Sequence, residues 1–350
     1  VDRPKAADLG VGVTPDRASG PPILNFASGA YYGFNANGPT SLINNTYIYA
    51  DTLTWIRGKH NFKGGFTFSA YQNNTIYDFF VNGMFTFTGA TNAGGIGSGN
   101  DRADFLFGLP DAYQQFPSAP SDIRSKMYSA FFQDEWRVSR KLTLTLGLRY
   151  DYSQPKFDTR GRSFSLKQGE RSTVFPGAPI GLLFPGDPQA PRGSNFADRN
   201  DFAPRFGFAY APTSKWSVRG GFGMFYDVLK GEDNLQFNGQ APFFAFTQLF
   251  FNPLPAGATG EVRYFQNPFG SVGAVNPFPS RPPSRDLNFA AAGFLPIGGS
   301  SVYFVNPRLR TPYVLQYNLS VQRELMRGTV LEVNYVGSGS LKLTAIVDAN

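Results

Sequence analysis

Apolar and polar positions alternate along most of the chain, and the clearest stretch runs from Lys141 to Tyr152. Leu142, Leu144, Leu146, Leu148, Tyr150 and Tyr152 alternate there with Thr143, Thr145, Gly147, Arg149 and Asp151. Successive strand side chains point to opposite faces, so this segment predicts a strand with one apolar and one polar face. Ordinary strands run about five or six residues, whereas a tilted membrane-spanning strand needs roughly 9–11. The twelve residues from Lys141 to Tyr152 fit the membrane length.

The same signature recurs in pairs across short turns. Tyr47 to Arg57, with Tyr47, Tyr49, Leu53 and Trp55 on one face, meets His60 to Tyr71 after Gly58 and Lys59. Met127 to Val138 runs into Lys141 to Tyr152, and Phe202 to Tyr210 runs into Trp216 to Tyr226. Tyr313 to Arg323 turns at Met326 to Gly328 into Thr329 to Val336. With Ile23 to Phe34, Phe79 to Thr88 and Asp111 to Pro117 the pattern predicts eleven strands. Two long irregular stretches, 153–200 and 228–311, separate the hairpins and are rich in Pro, Gly, Asn and Phe.

Short turns on one side and long loops on the other are the habit of outer-membrane barrels, with turns periplasmic and loops extracellular. Tyr and Trp at the strand ends fit two interfacial girdles. A soluble β-sandwich or propeller also alternates, but it covers its apolar face and need not keep twelve-residue strands. The predicted fold is therefore all-β: an antiparallel transmembrane β-barrel over residues 1–350, with long extracellular loops. Eleven strands are about half of a 22-stranded wall, which predicts a partial barrel, an open curved sheet with two unpartnered edges. The odd count also puts Gly89 to Pro110 on the periplasmic side, with a short helix expected at Asp101 to Gly108.

Composition narrows the chemistry. Cys is absent and His60 is the single histidine, which excludes disulfides, thiolate metal sites, a cysteine nucleophile and a multi-histidine zinc centre. No window approaches 18 apolar residues, and the segment opening at Val1 lacks the form of a signal peptide, so a processed product or a fragment is expected. The 32 basic and 25 acidic residues give +7 without a run of five like charges, so no nucleic-acid partner is expected.

Candidate sites follow from the alternation. Leu142, Leu144, Leu146, Leu148, Phe206, Phe208, Leu315 and Leu319 are expected to face lipid. Lys63, Glu135, Arg137, Arg149, Arg205, Arg219 and Glu332 are expected to face the lumen and line a solute path, although any wet lumen demands polar residues. Asp134 and Glu135 are neighbours on a strand, so they point apart and cannot act as an acid–base pair. His60 reads as structural. The glycines at 94, 95, 97 and 99 match no phosphate-binding loop, and no G-x-S-x-G occurs. No enzyme activity, cofactor or metal is expected.

Several segments resemble TonB-dependent receptor barrels of the Oar-like type. They include Ser129-Ala-Phe-Phe-Gln-Asp-Glu-Trp-Arg-Val-Ser-Arg-Lys-Leu-Thr-Leu-Thr-Leu-Gly-Leu-Arg-Tyr150, Phe202-Ala-Pro-Arg-Phe-Gly-Phe-Ala-Tyr210 and Arg219-Gly-Gly-Phe-Gly-Met-Phe-Tyr-Asp227. Trp55-Ile-Arg-Gly-Lys-His-Asn-Phe-Lys-Gly-Gly65, Ala103-Asp-Phe-Leu-Phe-Gly-Leu-Pro110 and Gln316-Tyr-Asn-Leu-Ser-Val-Gln-Arg-Glu-Leu325 add to the match. The resemblance implies a transporter in the cell outer membrane that takes up a scarce ligand, a siderophore, glycan or peptide, with energy relayed by TonB. It implies outer-membrane lipid as one partner and the TonB complex as another, through an N-terminal plug that has no counterpart in these residues. An adhesion module or small passive porin using its Phe-rich loops is the alternative.

Overall fold

The computed structural model describes residues 4–17, 20–33, 40–90, 97–227, 241–244, 247–251, 263–292, 294 and 304–345. In chain order its strands are β1 Ile23–Phe26, β2 Tyr31–Tyr32, β3 Ser41–Arg57, β4 His60–Tyr77, β5 Met84–Phe87, β6 Ala112–Gln115, β7 Ala119–Arg137 and β8 Leu142–Ser153. They continue with β9 Phe157–Asp158, β10 Ser165–Leu166, β11 Leu182–Leu183, β12 Asp201–Tyr210, β13 Trp216–Tyr226, β14 Thr247–Phe250, β15 Tyr313–Met326 and β16 Thr329–Leu341. A single helical turn and a half, α1, covers Asp101–Leu106.

Eight of these strands form one antiparallel meander in the order β3-β4-β7-β8-β12-β13-β15-β16, with the short β9 added beside β7. Each neighbour in the wall is also the next wall strand along the chain, so no connection crosses another. The wall strands run from 10 to 19 residues, long enough to span a bilayer at a tilt. Gly58 at φ 61° and Gly328 at φ 84° supply the left-handed backbone that the two tightest hairpin turns need. Among the described residues β3 and β16 are edges without a further partner, so the sheet is open.

The wall has eight strands rather than eleven. Ile23 to Phe34, Phe79 to Thr88 and Asp111 to Pro117 do not enter it. Their ordered parts are four-residue and two-residue strands of a separate five-stranded sheet, β14-β6-β5-β1-β2, in which β1 and β5 run parallel. With three strands removed the parity changes. The connection from β4 to β7 leaves and re-enters the wall at the end away from the short turns, so the described residues of Gly89 to Pro110 lie at the long-connection end and not, as eleven strands predicted, at the end of the short turns. The even count brings both Ser41 of β3 and Leu341 of β16 to that same end. Eight strands are about a third, not half, of a 22-stranded wall.

The small sheet organises a folded cap at that end. Phe26, Phe85, Phe87, Tyr113, Phe251 and Phe269 meet in its core, drawn from the segments before β3, between β4 and β7, and between β13 and β15. Phe26 and Phe87 stack at 5.2 Å, and Phe105 of α1 meets both rings edge-on. The helix starts where expected because the Asn100 side chain accepts from the amides of Arg102 and Ala103 at 3.0 and 3.1 Å. A second core joins Phe164, Phe175, Leu182, Phe184 and Phe289. Part of the Phe content of the stretches read as irregular loops therefore holds the cap together.

Candidate functional site

Cross-strand register decides which side chains share a face, because directly paired residues project to the same side. Lys63 pairs with Gln133, two positions from Glu135, which itself pairs with Thr145. Arg137 pairs with Thr143, and Arg149 pairs with Phe131 on one side and Ala203 on the other. Arg205 pairs with Gly147 and Gly223, and Arg219 with Ala209 and Ser320. Ser320 pairs with Asn334, two positions from Glu332. All seven expected lumenal residues thus lie on one face of the sheet.

The eight apolar candidates lie together on the other. Phe206 pairs with Leu146 and Phe208 with Leu144, while Leu142 and Leu148 extend the same row along β8. Leu319 pairs with Gly220, which pairs with Phe208, and Leu315 pairs with Met224. Glycines on this face accept rings from neighbouring strands. A Cβ on Gly220 would sit 2.5 Å from the Phe208 ring, and one on Gly337 2.4 Å from the Tyr317 ring.

Rings on the apolar face gather in two belts. Toward the long connections, Tyr49, Phe68, Tyr128 and Tyr152 form a chain of contacts at 6.1, 5.0 and 6.1 Å, and Tyr150 meets Phe202 at 4.9 Å. Toward the short turns, Trp55 meets Phe62 at 5.5 Å, and His60 stacks on Phe62 and Trp136. From Tyr128 to Trp136 is eight residues of β7, or about 26 Å along a strand at ~3.3 Å per residue. Tilted by about 40°, that separation covers about 20 Å of depth, most of the roughly 25 Å apolar band of outer-membrane barrels.

On the polar face two of the expected residues converge. A recess of about 320 Å³ near the long-connection end is lined by Met127, Arg149, Asp151, Asp201, Arg205 and Phe225 among others. Asp151 accepts from Arg149 Nε at 2.9 Å and from Ser129 Oγ at 2.6 Å, so the Arg149 fork is held in place. Arg205 lays its guanidinium 4.8 Å from the centre of the Phe225 ring. Thr311 closes the rim by donating its hydroxyl to Asp201 at 2.9 Å. The recess offers cationic and apolar surfaces for non-covalent binding.

The remaining members stand apart. Glu332 accepts from Ser320 at 3.3 Å beside Arg219, Lys63 and Glu135 lie further toward the short turns, and Arg137 is at the turn itself. The register alone could not reveal Phe225 as the platform for Arg205, although both were visible as same-face residues of adjacent hairpin strands. Asp134 falls on the apolar face, opposite to Glu135, with His60 as its partner. Among the described residues no group of three or more His, Asp or Glu is placed to hold a metal ion.

The sequence matches the model of the outer membrane beta barrel domain over residues 2–350. No curated protein matches it. Among solved structures it is similar to the outer membrane transporter YddB from Escherichia coli, at 10% identity and a TM-score of 0.43, covering 85% of this chain and 26% of that one. It is also similar to the copper transporter OprC, at 11% identity, a TM-score of 0.38 and coverage of 81% and 28%. The siderophore receptor PirA from Pseudomonas aeruginosa gives 10% identity, a TM-score of 0.26 and coverage of 84% and 39%. The chain thus spans about a quarter of the length of the first two. A two-faced meander of membrane-length strands and a family match along the whole chain lead to one conclusion: the chain belongs to the outer membrane β-barrel domain family, and its place is the cell outer membrane.

Proposed function

We propose that this chain forms part of the wall and outer cap of a TonB-dependent transporter that takes up a scarce ligand across the outer membrane. The observation that carries the reading is the sorting of side chains by register. Seven charged residues, Lys63, Glu135, Arg137, Arg149, Arg205, Arg219 and Glu332, share one face. The Leu and Phe candidates share the other, which the proposal puts against lipid. On this reading the polar face lines the solute path, and the recess at Arg149 and Arg205 is the first contact below the cap. The family resemblance supplies the TonB partner and the ligand class, a siderophore, glycan or peptide.

The test compares wild-type cells with cells lacking the gene or lacking TonB. Accumulation of radiolabelled ferric siderophores, oligosaccharides and oligopeptides is measured in all three. A substrate whose accumulation is lost equally in both mutants supports the reading. Accumulation that depends on the gene but not on TonB would replace it with a passive porin. Loss of surface attachment with every accumulation intact would replace it with an adhesion module.

A further inference from the structure

The protein's whole net charge sits at one rim of the wall. The four short-turn segments 55–60, 136–142, 211–216 and 323–329 hold eight Lys and Arg, namely Arg57, Lys59, Arg137, Arg140, Lys141, Lys215, Arg323 and Arg327, against one acid, Glu324. Of the 32 basic and 25 acidic residues, 24 of each are left for everything else. Among the described residues none of these eight cations makes an ion pair. Lys59 donates to the carbonyl of Val138 at 3.3 Å, which ties two turns together and leaves its charge unopposed.

The same rim holds every tryptophan of the chain, Trp55, Trp136 and Trp216. Register puts all three on the apolar face: Trp55 opposite Phe62, Trp136 opposite His60 and Leu144, Trp216 opposite Arg323. Each carries a nitrogen-rich group. Arg57 lies 5.7 Å from the Trp55 ring centre, Arg323 4.9 Å from that of Trp216, and the His60 ring stacks on Trp136 at 5.4 Å. An indole at a membrane interface sits at headgroup level. A guanidinium resting on it is therefore held at the depth of lipid phosphates.

We propose that this rim is a binding surface for anionic phospholipid headgroups of the periplasmic leaflet, with Arg57 and Arg323 on their indole platforms as its two contact points. The inference rests on the placement of the apolar face in lipid made above. Charge complementarity selects the occupant, because the seven cations of this rim other than lumen-facing Arg137, unopposed at headgroup depth, match a leaflet surface carrying phosphate rather than an apolar protein groove. Arg is suited to the role, since its planar fork binds phosphate oxygens in pairs. Each basic residue near an anionic bilayer contributes about fivefold in affinity, equivalent to about 1 kcal/mol.

The protein is purified from outer membranes and reconstituted in phosphatidylcholine bilayers in which part of the lipid is brominated. Quenching of tryptophan emission is compared for brominated phosphatidylglycerol and brominated phosphatidylcholine at equal mole fraction. Preferential quenching corresponding to about fivefold enrichment of the anionic lipid is expected, reduced by high salt. Arg57→Gln with Arg323→Gln should bring the two lipids toward parity. Lys59→Gln with Lys215→Gln, both in turns outside the strands, should reduce the preference as well and serves if the strand variants fail to fold. Equal quenching by the two lipids in the wild-type protein would overturn the inference and leave the lipid placement standing. Quenching by neither would overturn both.

Discussion

His60 Nδ1 lies 2.7 Å from Asp134 Oδ2 across the β4–β7 pair, on the face that carries the leucines. The imidazole is stacked on Phe62 and Trp136 at interplanar angles of 7° and 13°, so its position is set by one ring of its own strand and one of the neighbouring β7. A carboxylate on an apolar face is costly unless it is paired, and removing one member of a pair leaves the other uncompensated. His60→Ala should therefore destabilise the protein more than Asp134→Asn, by roughly 2 kcal/mol. Urea unfolding of both variants in the same detergent checks the order, and a larger loss in Asp134→Asn would show that the pairing is not what keeps Asp134 in place.

The two faces of β8 make the sharpest contrast. Leu146 pairs with Phe206 and Asp134, and Thr145, its neighbour, pairs with Glu135 and Gly207. A cation on the lipid side near mid-membrane costs about 2–4 kcal/mol, and lumenal changes are milder. Folding into lipid vesicles should thus be weakened by that amount in Leu146→Arg and far less in Thr145→Arg. Equal effects would refute the assignment of faces.

Sidedness of the cap is open to chemistry in cells. Ser98 is exposed, and its amide donates to Asp104 at 2.7 Å in the segment leading into α1. With an even number of wall strands this segment lies at the long-connection end, which the proposed function turns outward. A cysteine at Ser98 should react with a membrane-impermeant maleimide added to intact cells. Reaction only after the outer membrane is opened would restore the periplasmic placement.

Inside the cap, Asp187 ties a loop together. It accepts from Ser172 Oγ at 2.7 Å, the Thr173 amide at 2.6 Å and the Phe184 amide at 2.8 Å. Burial pushes the carboxyl up, but these donors outweigh it and hold it below the usual carboxylate range. A depressed folded value means that the ionised group stabilises the fold above the unfolded value of about 3.9. That contribution is lost only as pH falls through the folded value, so the cap should keep its stability from neutral pH down to about 4. Asp187→Ala should cost about 2–3 kcal/mol at neutral pH. Hydrogen exchange at the Phe184 amide gives the readout, and unchanged protection would remove Asp187 from that role.

Much of the wall was legible because its alternation is unbroken over membrane length. Leu142 to Tyr152 is the model case, and the structure extends the same rule outward, to Ser41 in β3 and Leu341 in β16. Alternation says that a segment is a strand and which residues share a side; it does not say which sheet the strand joins. Phe85 and Phe87 alternate with Thr86 as any wall residue does, yet they belong to a four-residue strand whose neighbours come from both sequence directions. Length was the signal that separates them. At the site, the shared face of Arg149 and Arg205 was legible, whereas Arg205 resting on Phe225 depends on side-chain direction that spacing does not carry.

The cap is stitched across the whole chain: the amide of Ser280 donates to Asp16 Oδ1 at 2.6 Å, 264 positions away. Each wall strand pairs with the next wall strand along the chain, so the wall is built from contacts between sequence neighbours. Contacts between distant parts of a chain are the slow ones to form. The cap must wait for residue 280, by which time six of the eight wall strands already exist. A chain that stops short of residue 280 thus keeps six wall strands but loses this tie of the cap, and would present a wall without its finished roof.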